Sequence, residues 1–110
     1  GVTPEMSVFR EETFGPVAAV IRVAGEEEAI AVANRSDFGL GASVWTRDLE
    51  RGKAVAARVE AGMVFVNSIV FSDPRLPFGG MKRSGYGREL GDYGIHEFVD
   101  VKSVAVHATD

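Results

Sequence analysis

The chain has 110 residues, 45% of them hydrophobic and 25% charged, a composition typical of a soluble globular domain or a part of one. Its 12 basic and 16 acidic residues give a net charge of -4, which argues against nucleic acid as a partner, and no apolar run is long enough for a membrane helix. Because the chain has no cysteine, disulfides, thiolate metal sites and a catalytic thiol within these residues are excluded.

The first residues, Gly1-Val2-Thr3-Pro4, do not include an initiating Met, which indicates the interior of a longer polypeptide. They also carry no signal-peptide pattern, and we therefore expect a cytoplasmic protein. Thr3, Pro4 and Glu5 predict the start of a short helix, because a hydroxyl cap, a proline in the first turn and an early carboxylate all favour helix initiation.

A regular alternation of strands and helices follows. The predicted elements are a strand at 17–23, a helix at 26–34, a strand at 40–46, a helix capped by Asp48 and stopped by Gly62, and a strand at 63–67. This order predicts an α/β fold with a parallel βαβαβ arrangement and right-handed crossovers. Ligands of such sheets bind beyond the carboxyl ends of the strands, and the segment after Asn67 leaves from such an end.

The segment from Ser68 to Gly87 has neither helical period nor strand alternation. Structureless loops longer than about 12–15 residues are uncommon in compact domains and are usually functional or disordered. This one is too apolar for disorder, and we therefore expect an ordered loop that lines a ligand site. A short helix is predicted at 88–92 and a final strand at Phe98–His107, whose apolar edge needs a pairing partner such as another subunit.

The residues by themselves offer no complete catalytic set. The stretch from Gly79 to Gly85 does not have the glycine spacing of a phosphate-binding loop. His96 and His107 have no nearby partners at metal-ligand spacing, and we predict no metal site. No serine lies in the strand–turn–helix setting of a hydrolase nucleophile.

Three motifs in register resemble the C-terminal part of an aldehyde dehydrogenase: EETFGP at 11–16, AGMVFVN at 61–67 and PFGGMKRSGYGRELG at 77–91. The segment NSIVFSDPRLPFGG is most similar to the succinate-semialdehyde dehydrogenase branch. The resemblance implies that residues 1–91 belong to the catalytic domain and residues 92–110 to an oligomerisation strand segment. It also implies that NAD or NADP oxidises the aldehyde after attack by a Cys thiolate, with a Glu activating water. Those two residues and the cofactor domain are expected upstream of Gly1, so the chain alone should be inactive.

The resemblance assigns roles to five side chains. Glu12 matches a carboxylate that binds the nicotinamide ribose hydroxyls, and Phe14 matches an aromatic near the cofactor ring. Phe78 matches the aromatic that lines the substrate tunnel. Ser72 matches a hydroxyl that binds the carboxylate of succinate semialdehyde, and Arg75 is our candidate for a charge-assisted bond to the same group.

Two alternatives stay open on the sequence. One is an aldehyde dehydrogenase with a different substrate, and the other is a non-catalytic α/β module for assembly or small-ligand binding. For Arg75 the alternative is an exposed loop charge without a ligand. The resemblance further implies a homo-oligomer formed through the strand Phe98–His107, which agrees with the need of an exposed strand edge for a partner.

Overall fold

The computed structural model describes residues 1–108 and contains four helices and four short strands in that range. In chain order they are α1 (Ser7–Arg10), α2 (Glu26–Asn34), β1 (Phe38–Gly39), β2 (Gly41–Val44), α3 (Leu49–Ala56), β3 (Met63–Val66), β4 (Met81–Lys82) and α4 (Gly91–His96). The chain is therefore mixed α/β, as the sequence predicts.

One parallel βαβ unit forms the centre of the structure. Strands β2 and β3 run parallel, with Gly41 opposite Met63 and Val44 opposite Val66, and α3 connects them. Helix α3 begins where the sequence predicts, because the Asp48 side chain accepts a hydrogen bond of 3.0 Å from the backbone N–H of Arg51. Such a cap satisfies a donor that the first turn leaves without a helical partner.

The predicted first strand, Val17–Val23, is wrong for the described residues, and the full βαβαβ arrangement is therefore not formed. The N–H of Val17 donates to the nearby Gly15 carbonyl at 2.8 Å, and the one backbone link to a more distant segment of the described residues is a long hydrogen bond of 3.4 Å from the N–H of Val2 to the carbonyl of Val20. Val20 is 72% exposed. A continuous apolar run is typical of a strand covered on both faces, but a strand exists only beside a partner, and residues 1–108 supply none here.

The predicted C-terminal strand, Phe98–His107, is likewise absent as a strand within the described residues. Phe98 is 84% and Val106 88% exposed, and no ladder pairs this segment with any part of residues 1–108. The physical reason is the same as for residues 17–23, because a strand forms only where a neighbouring strand offers its edge for hydrogen bonding. The last two residues of the predicted segment 92–110 lie outside the described residues, and pairing with another subunit stays a prediction.

The expected helix stop at Gly62 and the expected helix at 88–92 are also wrong. Helix α3 ends at Ala56, well before Gly62. Glu89 instead pairs with Phe78 through two backbone hydrogen bonds of 2.7 and 2.8 Å, so the backbone is extended there and α4 begins only at Gly91. At Glu89 the pairing with Phe78, eleven residues earlier in the chain, overrides the local helical pattern.

The shape is elongated and the core is small. The radius of gyration is 19.0 Å, whereas a compact domain of this length has about 13 Å. Among the described residues the single buried hydrophobic side chain is Ile30 of α2, which is 6% exposed. The apolar faces of this chain are thus left mostly uncovered.

Candidate functional site

A cavity of about 340 Å³ lies against β3 and the loop that follows it. We call it the β3 pocket; its walls are Gly62 and β3 together with Phe71, Asp73 and the segment from Leu76 to Phe78. The wall is mainly apolar. The rings of Phe65 and Phe71 pack with centroids 4.9 Å apart and planes tilted by 46°, a separation typical of a stabilising aromatic pair. The expected ordered, ligand-lining loop therefore borders a cavity.

Phe78 is fixed in this wall by its backbone. The two hydrogen bonds between Phe78 and Glu89 form an isolated antiparallel bridge. The side chain is half-buried and lines the β3 pocket on one side and a neighbouring cavity on the other. Phe78 thus contributes to the walls of two cavities, and its role in a substrate tunnel stays a prediction.

Glycines around Phe78 allow segments of the backbone to pack closely against each other. A Cβ on Gly62, which directly precedes β3, would overlap the carbonyl oxygen of Gly79. A Cβ on Gly80 would lie 2.6 Å from the Cβ of Ser84. The Arg88 guanidinium also holds this backbone in place, because its Nη1 donates a hydrogen bond of 2.8 Å to the carbonyl of Gly80. The backbone beside the pocket is therefore held by contacts that leave no room for side chains.

Lys82 anchors the same loop to the rest of the chain. Its Nζ donates to the carbonyls of Asn34 at 2.7 Å and Ser36 at 3.0 Å, and lies 2.8 Å from Oε2 of Glu60. Cations favour the C-terminal end of a helix, where carbonyls have no helical partner. Because Asn34 ends α2, this one ammonium ties the loop to a rigid helix.

Arg75 lies outside the wall of the β3 pocket, and its charge is already paired. Its Nε donates to Oδ1 of Asp73 at 2.9 Å and its Nη2 to Oδ2 at 2.6 Å, while its side chain is 86% exposed. Ser72 is exposed and does not line the pocket. Of the three predicted substrate-binding residues, only Phe78 lies in the wall of the β3 pocket, and the substrate-binding roles of all three stay predictions.

Asp73 is the wall residue that the sequence analysis missed. Its side chain is 11% exposed. The side-chain hydrogen bonds from Arg75, followed by the bond from the Arg75 backbone, lower the pKa of Asp73 from 3.8 to about 2. Because the pKa of Asp73 is lower in the folded state than in the unfolded chain, the ion pair stabilises the fold at pH values above 3.8. This stabilisation is lost as the pH falls towards 2. The sequence Asp-Pro-Arg carried a signal for it, since aspartate ahead of proline favours a turn closed by its own carboxylate.

The two predicted cofactor residues lie apart from the β3 pocket. Glu12 is exposed and lines a separate cavity of about 330 Å³ with Phe38 and Gly41, whereas Phe14 is 91% exposed. No hydrogen bond or ion pair of the Glu12 carboxylate is found within residues 1–108. Its oxygens are therefore open to hydroxyl donors, which fits a ribose, and the roles of Glu12 and Phe14 stay predictions.

Within residues 1–108, no set of His, Asp or Glu side chains is grouped so that it could hold a metal ion. None of the helices in that range has both the length and the apolar character needed to cross a bilayer.

Comparison with known proteins gives a consistent result. The sequence profile of the aldehyde dehydrogenase family matches residues 1–104. An aldehyde dehydrogenase of Paenarthrobacter nicotinovorans is 55% identical over 94% of the chain. Succinate-semialdehyde dehydrogenase [NADP(+)] 1 of Mycobacterium ulcerans is 50% identical over 96% of it. In both cases the chain spans only 23% of the relative's length.

A solved structure agrees with the sequence relatives. The succinic semialdehyde dehydrogenase of Streptococcus pyogenes, crystallised in complex with NADP+, superposes with a TM-score of 0.92 at 47% identity. The match covers 96% of this chain and 23% of that protein. The fold of the described residues is therefore the fold of one part of a much longer polypeptide.

Proposed function

Because the chain belongs to the aldehyde dehydrogenase family, we propose that it is one wall of the active site of a longer NAD(P)-dependent enzyme. That enzyme, called the full-length enzyme below, oxidises a small aldehyde, succinate semialdehyde or a similar compound, to its carboxylic acid. The observation that carries the proposal is the family match over residues 1–104, which includes β3, the loop and Phe78. The succinate-semialdehyde dehydrogenases among the relatives support the substrate.

Within this proposal the chain binds and positions. Glu12 accepts hydrogen bonds from the ribose of NAD or NADP, which supplies the hydride acceptor when bound, and Phe14 packs near the nicotinamide. Phe78 and the other aromatic rings of the β3 pocket hold the aldehyde and exclude water. Since the chain has no cysteine, the thiolate nucleophile belongs to the remainder of the full-length enzyme, as does the water-activating Glu. We place the enzyme in the cytoplasm and assign subunit pairing to Phe98–His107.

A second candidate is an aldehyde dehydrogenase for an uncharged substrate. One observation favours it: the β3 pocket is mainly apolar, and the Arg75 guanidinium is already occupied by Asp73. The two candidates share one chemistry and differ only in the substrate's distal group.

The test is a steady-state assay of the full-length enzyme with succinate semialdehyde and with butanal, an uncharged aldehyde of equal chain length. We expect reduction of NAD or NADP with both and a higher kcat/KM for succinate semialdehyde. A preference for butanal would select the second candidate. Absence of turnover with any aldehyde would contradict both and favour a non-catalytic module.

Replacing Arg75 with Ala should raise the KM for succinate semialdehyde about fivefold, less than the loss of a full charge-assisted pair, because Asp73 competes for the same guanidinium. The KM for butanal should change much less. Arg83 provides the matched control, since it is an exposed arginine paired with Asp37 and lies outside the wall of the β3 pocket. Equal effects of Arg75→Ala on both aldehydes would discard the role of Arg75.

A further inference from the structure

One turn of the loop fixes the relation between Asp73 and Arg75. The N–H of Leu76 donates to the Asp73 carbonyl at 3.0 Å, and the N–H of Arg75 donates to Oδ1 of Asp73 at 2.9 Å. Pro74 restricts the backbone inside the turn, and its carbonyl accepts a hydrogen bond of 3.0 Å from Gly91 at the start of α4. The turn is thus anchored both internally and to a helix.

The two partners of this ion pair lie on different sides of the turn. Asp73 lines the β3 pocket together with Phe65, Phe71 and Phe78, and its side chain is 11% exposed. Arg75 is 86% exposed and does not line the pocket. The carboxylate therefore belongs to the wall, and the guanidinium that it binds is exposed to solvent.

An acidic aldehyde in this pocket reaches Asp73 in the wall, and the guanidinium of Arg75 beyond it is already bound to that carboxylate. Nε and Nη2 of Arg75 both donate to Asp73 in the two-pronged geometry that carboxylates prefer. A substrate carboxylate must displace a carboxylate held two residues away on the same turn, where the effective concentration is at least in the millimolar range. The pair also carries no net charge, so it offers an anion little long-range attraction.

We propose that Asp73 is a specificity-determining residue that acts through Arg75: it withholds the guanidinium from acidic substrates and thereby lowers the preference of the full-length enzyme for succinate semialdehyde over butanal. This inference rests on the proposed function and deepens it. Its role is positioning rather than catalysis, because Asp73 sets the availability of another side chain. The full-length enzyme then accepts an acidic aldehyde only when Arg75 exchanges Asp73 for the substrate.

The experiment compares kcat/KM for succinate semialdehyde with kcat/KM for butanal in variants of the full-length enzyme. Asp73→Asn keeps the oxygen that closes the turn and removes the charge, so the ratio should rise about tenfold, equivalent to about 1.4 kcal/mol. The double variant Asp73→Asn with Arg75→Met should lose that rise. The rise should also shrink at high ionic strength, since it depends on a charge near solvent.

Asp37→Asn is the matched control. Asp37 also pairs with an arginine, Arg83, with 3.7 Å between Oδ2 and Nη1, but it does not line the β3 pocket. This variant should leave the ratio at its wild-type value. An effect equal to that of Asp73→Asn would overturn the inference, because the cause would then be overall charge.

Three other results would also overturn it. They are an unchanged or lower ratio in Asp73→Asn, a rise that persists without Arg75, and loss of butanal oxidation in both Asp73→Asn and Asp73→Ser. The last result would show that Asp73 holds the loop and does not select substrates. If the wild type oxidises neither aldehyde, the proposed function fails. The inference is then decided by the dissociation constant of succinate, which Asp73→Asn should lower about tenfold.

Discussion

Replacing Gly62 with Ala should lower the kcat/KM of the full-length enzyme by at least about a hundredfold, since a displacement of about 1 Å at an active site can have that effect. The cause is steric. An alanine Cβ at this position would overlap the Gly79 carbonyl oxygen and lie 2.8 Å from the Gly79 carbonyl carbon and 3.0 Å from the Cα of Gly80. These are backbone atoms, so β3 and the loop have to separate.

That separation reaches the β3 pocket directly. Gly62 and Phe78 both line it, and Phe78 immediately precedes the glycine that would be displaced. The Gly62 N–H also donates to the Gly39 carbonyl at 2.9 Å, a bond that the shift strains. We expect a loss of about 3 kcal/mol in the free energy of unfolding, the upper part of the range for overpacking.

Gly25→Ala is the matched control for Gly62→Ala. A Cβ on Gly25 has nothing within 4 Å, and its φ of -174° is extended backbone that any residue adopts. Enzyme kinetics and urea denaturation of both variants check the prediction. Wild-type kinetics and stability in Gly62→Ala would refute the close packing of β3 on the loop.

The second large effect concerns the 110-residue chain by itself, which should bind the dye ANS strongly and unfold without a cooperative transition. Its accessible surface is 8788 Å², whereas a compact protein of this mass has about 5,900 Å². With Ile30 as the single buried hydrophobic side chain of the described residues, there is little apolar burial to offset the loss of conformational entropy.

Trp45, the one tryptophan of the chain, provides the measurement, because its fluorescence can be followed in a urea titration. We expect a broad, sloping change in the isolated chain and a sharp transition in the full-length enzyme. A sharp transition with weak ANS binding in the isolated chain would contradict the view that its apolar faces need covering by further polypeptide.

The sequence predicts those parts of the fold whose causes are local. Helix α2 occupies the predicted residues 26–34, Asp48 caps α3 as expected, and the strands at 41–44 and 63–66 lie within their predicted ranges. In each case periodicity, propensity or a cap acts within a few residues. These signals need no knowledge of the rest of the molecule.

The misses have causes that lie far away in sequence or outside the described residues. The apolar runs 17–23 and 98–107 have strand composition, but a strand also requires a partner edge. The interpretation of Gly62 as a helix stop failed because its real constraint is the backbone of Gly79. A local sequence pattern does not indicate which distant segment a residue will contact in the folded chain.

The candidate site shows the same division. The loop after β3 was expected to line a cavity, and Phe71, Asp73 and residues 76–78 do so. The role of Phe78 in a substrate tunnel stays a prediction. The pairing of Arg75 with Asp73 was not predicted, because an arginine in a loop can bind a ligand or a neighbouring carboxylate, and the sequence pattern is the same for both. Asp73 lies two residues before Arg75 in the same turn, and its carboxylate accepts two hydrogen bonds from the Arg75 guanidinium.

The central claim is that these residues form a wall of an active site whose nucleophile belongs to other parts of the full-length enzyme. The most direct measurement is turnover by the purified 110-residue chain, supplied with succinate semialdehyde and with NAD or NADP. We expect no reduction of either cofactor by the chain, and clear reduction by the full-length enzyme under the same conditions. Turnover of the aldehyde by the chain alone would show that the reactive groups lie within these 110 residues.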